Sequence, residues 1–246
     1  MLFGYKNQKR KLALIAAYSA GILSIATAAY AINNTTAAVL SASDVRALIK
    51  YSHLKNTFQV TAAPEVVSYL NELRNNPQKK QKMLASLERM KTYQAGIQQE
   101  LKRNSMPDDI LALPLVESGY KPLEEHVNPV KAAGIWQIIP STATDLGLVV
   151  NANRDDRMDT QLSTKAALAL LQAMHEQFHD WKLAVLAYEI GDKETARLIA
   201  LTGARDAWTI ARSAYVPEKY KVELIKYLAM FDASVILIHN PSVING

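Results

Sequence analysis

Apolar and polar positions alternate in this chain mostly at helical spacing. Between Pro77 and Leu101, Met83, Leu84, Leu87, Met90, Ile97 and Leu101 recur at three- and four-residue steps with Lys, Gln and Glu between them, which predicts a long amphipathic helix. Pro64 opens a shorter helix before it. Met106-Pro107-Asp108-Asp109 reads as a further helix start, with two carboxylates set favourably against the helix dipole. The apolar run that follows leads to Glu117, and Pro114 inside it should kink the helix or remove a hydrogen bond. Another short helix opens near Pro140, and Gly147 can end it. From Ser163 to His179 the stripe Ala166, Ala167, Leu170, Leu171, Met174 and Phe178 predicts a helix. Asp180 can cap the next one, which turns Trp181, Ala184, Val185 and Tyr188 inward. The pattern stays helical to about Ile238, and strand signals are weak. The expected fold class is all-α.

The N-terminus is different. Residues 12–32 carry no charge, and at 1.5 Å per residue such a run spans about 30 Å, the thickness of a bilayer core. Lys6, Lys9, Arg10 and Lys11 precede it, which predicts a cytoplasmic N-terminus and an exported body. Two readings stand side by side: an uncleaved transmembrane anchor, or a signal peptide cut after Ala29-Tyr30-Ala31. The length of the run favours the anchor. The expected organisation is a basic flank (1–11), an anchor or signal segment (12–32), a linker with short helical pieces (33–63), a helical extension (64–104) and a main domain (105–246).

Charge and composition narrow the function classes. Of the net charge of +5, four charges come from the N-terminal flank, leaving +1, so the basic balance is no sign of nucleic acid. The chain has no cysteine, which excludes disulfides, thiolate metal sites and a cysteine nucleophile.

Three segments carry candidate chemistry. In Leu113-Pro114-Leu115-Val116-Glu117-Ser118-Gly119-Tyr120 a carboxyl follows an apolar run, the setting that lets a Glu hold a proton near neutral pH. The same segment also fits a solvated Glu at a helix end. Ala132-Ala133-Gly134-Ile135-Trp136-Gln137 offers a flat apolar ring and an amide that can read sugar hydroxyls, or simply a tight turn with a core Trp. Leu183 to Gly191 sets Tyr188 at the end of a buried helix, either to hold a carboxyl or as core. A fourth segment, His175-Glu176-Gln177-Phe178-His179, matches the H-E-x-x-H zinc pattern. Lys182 and Val185 stand where the extended form of that pattern needs Gly and His, and Glu194 is the remaining candidate ligand.

Taken in order, these pieces resemble the family-1-type lytic transglycosylases with the goose-lysozyme-like SLT domain, above all their membrane-bound D type. The resemblance runs from about Tyr93 to Pro217. It includes Arg103-Asn104-Ser105-Met106-Pro107, the Asp155-x-Arg157-x-Asp159 segment, Asp180-Trp181 and Tyr215-Val216-Pro217. It implies a lysozyme-like helical domain that cleaves the MurNAc–GlcNAc bond of peptidoglycan and leaves 1,6-anhydro ends, without metal or cofactor. By the same resemblance Glu117 is the catalytic acid and base, and Tyr188 contacts its carboxyl. The substrate-facing set is Ser118, Asn128, Trp136, Gln137, Tyr188 and Glu189. Asn128 stands where many members have Ser, and Lys131 at a position usually small or polar. Glu189 replaces the usual Asn, where a carboxyl can raise the pKa of Glu117 if close. The implied partners are glycan strands and the cytoplasmic membrane, with further envelope partners unspecified. A non-catalytic peptidoglycan-binding scaffold is the main alternative.

Overall fold

The computed structural model describes residues 38–49 and 58–245; the basic flank and the apolar run 12–32 lie outside them. Among the described residues no helix is long and apolar enough to cross a membrane. They form an all-α body: α1 (Ala42–Leu48), α2 (Pro64–Asn75), α3 (Pro77–Arg103), α4 (Ala112–Glu117), α5 (Pro140–Asp145), α6 (Thr160–Phe178), α7 (Trp181–Ile190), α8 (Asp192–Thr202), α9 (Ala207–Arg212) and α10 (Glu218–His239). Strand is confined to an antiparallel pair, β1 (Val150–Asn151) and β2 (Arg154–Asp155).

Local chemistry sets the helix ends. Asn76 accepts from the Lys79 amide and Pro77 fills the first position of α3, while Lys102 and Arg103 suit its C-terminal dipole. Asp159 caps α6 through Gln161 and Leu162, and Asp180 caps α7 through Leu183. Helix α7 is buried from Lys182 to Tyr188, so it is the central helix, and α6, α8 and α9 pack around it. The second layer is α10 against α2, α4 and α9.

The expected linker is in part structural. Its residues 42–48 form α1, and Val45 and Phe58 are buried in the core. Phe58 donates its amide to Asp109 at 2.7 Å, and His239 meets the same carboxyl at 2.6 Å. Asp109 therefore ties three distant segments together just ahead of α4. The expected extension, α2 and α3, likewise shares one hydrophobic core with the remainder. Leu84, expected inward, is exposed, and Leu170 is only half-buried, because each sits at the margin of its stripe where neighbouring turns leave it uncovered.

Candidate active site

Glu117 is the last residue of α4 and is half-buried. A 3-10 turn, Asp108–Leu111, runs straight into α4, so Pro114 falls in the first turn of the α-helix, where its missing N–H costs least. After Ser118 the chain reverses through two residues with positive φ, Gly119 (58°) and Tyr120 (58°). Tyr120 is fully buried, donates to the Leu111 carbonyl at 2.9 Å and stacks on Tyr93. Arg89 of α3 donates to the Gly119 carbonyl at 2.8 Å. The carboxyl is thus carried on a short helix anchored at both ends.

Tyr227 of α10 donates its hydroxyl proton to Glu117 Oε1 at 3.0 Å. Nothing in the sequence singled this tyrosine out. It is one of eleven and lies 110 residues from its acceptor, in a helix whose pattern speaks only of burial. Tyr188, expected to contact Glu117, donates at 2.6 Å to the backbone carbonyl of Trp136. Its neighbourhood still includes the carboxyl. Burial, then the charges of Glu117 and Glu189, hold the hydroxyls of both Tyr188 and Tyr227 well above the usual tyrosine range. Both therefore stay protonated at neutral pH. Glu189 is half-buried and its field reaches both tyrosines.

The Trp136 expectation needs correction. The ring is fully buried and its Nε1 donates to Thr164 Oγ1 of α6 at 3.0 Å, so it presents no face to a sugar. It is the core Trp of a tight turn. Ala133 and Ile138 exchange two backbone hydrogen bonds across that turn, and Gln137 holds a φ of 50° within it. Gln137 donates one amide hydrogen to the Gly134 carbonyl at 2.7 Å, which leaves most of its bonding capacity for other partners. Ser118 donates to Ile135 at 2.8 Å, joining the end of α4 to the same turn. Asn128 braces the preceding loop, accepting from the Ala132 amide and donating to its carbonyl.

Arg157 locks this wall of the site. It is fully buried, grips Asp155 in a bidentate pair at 2.7 and 2.8 Å, and donates to Glu125 at 2.9 Å and to the carbonyls of Lys131 and Ile138. The Arg157 guanidinium holds the Asp155 carboxyl below its usual value. Gly134 passes so close that a Cβ there would lie 1.9 Å from the Arg157 carbonyl oxygen. Only glycine fits, with its φ of 76°.

The zinc pattern does not assemble into a site among the described residues, where no group of three or more His, Asp or Glu side chains could hold a metal ion. His175 stacks on Trp181, with 3.9 Å between ring centroids, and burial pushes its pKa down. His179 takes a left-handed φ of 55° to end α6, and Glu194 is paired with Arg197. A depression of about 420 Å³ between α3 and α6, bordered by Glu100, Asn104, Lys165 and Gln172, takes in Glu176 of the zinc pattern but none of the residues around Glu117.

A half-buried carboxyl bonded by a buried tyrosine and flanked by a rigid turn has the elements that acid–base chemistry requires. Residues 94–211 match the family described as Transglycosylase SLT domain. It is similar to Membrane-bound lytic murein transglycosylase D of Escherichia coli strain K12, with 37% identity over 145 residues, 58% of this chain and 32% of that protein. The same protein of Escherichia coli O6:H1 strain CFT073 gives the same identity and coverage. The chain thus spans about a third of the length of these relatives. Tyr227 lies outside the matched residues, so the site draws on α10 beyond them.

Proposed function

We propose that this protein is a peptidoglycan lytic transglycosylase in which Glu117 is both acid and base. The observation that carries the reading is the Tyr227–Glu117 hydrogen bond at the end of a mostly buried helix, within a chain whose residues 94–211 match the SLT domain. Glu117 in its protonated form gives its proton to the oxygen between N-acetylmuramic acid and N-acetylglucosamine, and the C1–O bond breaks. The acetamide of the substrate supports the electron-poor anomeric carbon. Glu117 then takes the proton of the C6 hydroxyl, whose oxygen bonds to C1 and closes a 1,6-anhydro ring. No water enters. Tyr227 orients the carboxyl for both transfers, while Gln137 and Ser118 stand nearby on the wall that Arg157 fastens.

The same reading makes residues 12–32 a single inner-membrane anchor, with residues 1–11 cytoplasmic and the body in the periplasm. It is supported by the charge asymmetry of the sequence and by a relative that is named membrane-bound.

The test is digestion of purified sacculi by the parent protein and by Glu117→Gln, with mass spectrometry of the products. The parent should release ends about 18 Da lighter than hydrolysis products, because no water is added. Glu117→Gln keeps the shape of the side chain but cannot deliver a proton. It should lose about 10⁴ or more in rate, the upper end for acid–base catalysis. Reducing ends in the parent digest would mean a hydrolase, and near-parent activity in the variant would move the acid elsewhere.

A further inference from the structure

One end of the body gathers positive charge where the chain enters it. Arg74 donates to the carbonyls of Ala38 and Val243, and Lys80 donates to the carbonyl of Asn245. Ala38, the α2–α3 junction and the C-terminal turn Pro241–Asn245 are therefore neighbours. Lys79, Lys80 and Lys82 sit in the first six residues of α3, whose first turn holds no acid. The macrodipole disfavours cations at that position, so helix stability does not account for them. The acids nearby are already engaged, Glu72 with Lys79 and Asp44 in the capping box of Ser41. Beside them Val39 is 75% exposed, the most exposed large apolar side chain described.

Only five residues, 33–37, separate the apolar run from Ala38. Fully extended, five residues reach about 18 Å, so an anchored chain keeps this end close to the bilayer.

We propose that this end of the body, formed by Val39, Arg74, Lys80 and Lys82, is a membrane-contacting face that binds anionic lipid headgroups. The proposal rests on the anchor reading given above. The fit is one of charge and polarity, with cations for headgroup phosphates around an apolar side chain that can enter the interface. It also sets the level at which the site works. Lys79 and Arg89 are ten residues apart on α3, about 15 Å, and Arg89 holds Gly119, two residues past Glu117. Docking of this face keeps the carboxyl at a set distance from the lipid, so the substrate is the glycan nearest the membrane.

The absence of cysteine allows a clean test on the full chain. Gln78→Cys, exposed at the start of α3, takes an environment-sensitive dye, and the protein is placed in nanodiscs of phosphatidylcholine alone or with phosphatidylglycerol. The expected result is a blue shift of dye emission only in the anionic discs. It should disappear in 1 M salt, where the Debye length falls to about 3 Å. It should also disappear in Lys80→Glu/Lys82→Glu, a variant whose acids suit the helix N-terminus and should fold at least as well. The same dye at Leu201→Cys on α8 should show no lipid dependence. Equal emission in both kinds of disc, or a shift that survives the charge reversal, overturns the proposal while the anchor stands. Failure of the chain to enter the discs overturns the anchor reading and this proposal with it.

Discussion

The hydroxyl of Tyr227 lies 3.0 Å from Glu117 Oε1, which joins the last long helix to the end of α4. A hydrogen bond to a charged group is worth about 1.5–3 kcal/mol. If the bond orients the carboxyl during proton transfer, Tyr227→Phe should lower kcat about ten- to a hundredfold with little change in KM. The circular dichroism melt should stay close to that of the parent. An unchanged kcat would reduce Tyr227 to core packing.

Gly134 and Gly147 make a matched pair. Both have positive φ, 76° and 79°, but a Cβ at Gly147 meets nothing within 4 Å, whereas at Gly134 it meets the Arg157 carbonyl. Gly147→Ala should cost only the conformational penalty, about 1–2 kcal/mol. Gly134→Ala should cost at least about 3 kcal/mol and lower Tm by roughly 6 °C or more. Thermal melts of the two variants separate strain from collision. Similar losses would mean that the turn shifts freely.

Lys182 and Asp232 form a buried ion pair at 2.9 Å, with the Trp208 indole and the Thr61 amide also donating to the carboxyl. The Lys182 ammonium further bonds the Gln59 carbonyl, fastening the segment before α2 to the central helix. Lys182→Met leaves a carboxylate buried without its cation and should cost about 3–5 kcal/mol in chemical denaturation. Adding Asp232→Asn removes the orphaned charge and should recover part of the loss. A double variant no more stable than Lys182→Met would show that packing, not charge, dominates.

Four tyrosines bear on alkaline stability. Burial pushes Tyr69 up to about 12, and it raises Tyr120, Tyr188 and Tyr227 above the usual tyrosine range as well. Each titrates near 10 in the unfolded chain. A raised folded pKa favours the protonated form, so the stabilisation is fully present below pH 10 and lost as pH rises toward the folded values. In a spectrophotometric titration these four should ionise later than the exposed tyrosines, together with loss of the helical signal. Ionisation of all eleven tyrosines near pH 10 with the fold intact would contradict their burial.

Much of the helical layout was legible in the sequence because helix periodicity and caps are local. Asn76, Asp159 and Asp180 act within three residues of themselves, and the stripes of α3 and α6 need only the 3.6-residue repeat to be read. Glu117 was legible for a similar reason, since its apolar lead-in and the small residues after it are contiguous. Which side chains meet was not legible, because packing joins residues far apart in sequence. Whether Trp136 faces a ligand or the core depends on Thr164 of α6 and Tyr188 of α7, and neither leaves a mark in the turn itself. The same holds for Arg157, whose partners span residues 125–155, and for Tyr227, whose role exists only because α10 crosses α4. Local sequence determined where helices begin, which face is apolar and which carboxyl stands at a buried helix end. Only the tertiary structure brought Tyr227 to that carboxyl, because hydrogen-bond partners are chosen by proximity in space, and that proximity is set by the burial of whole helix faces.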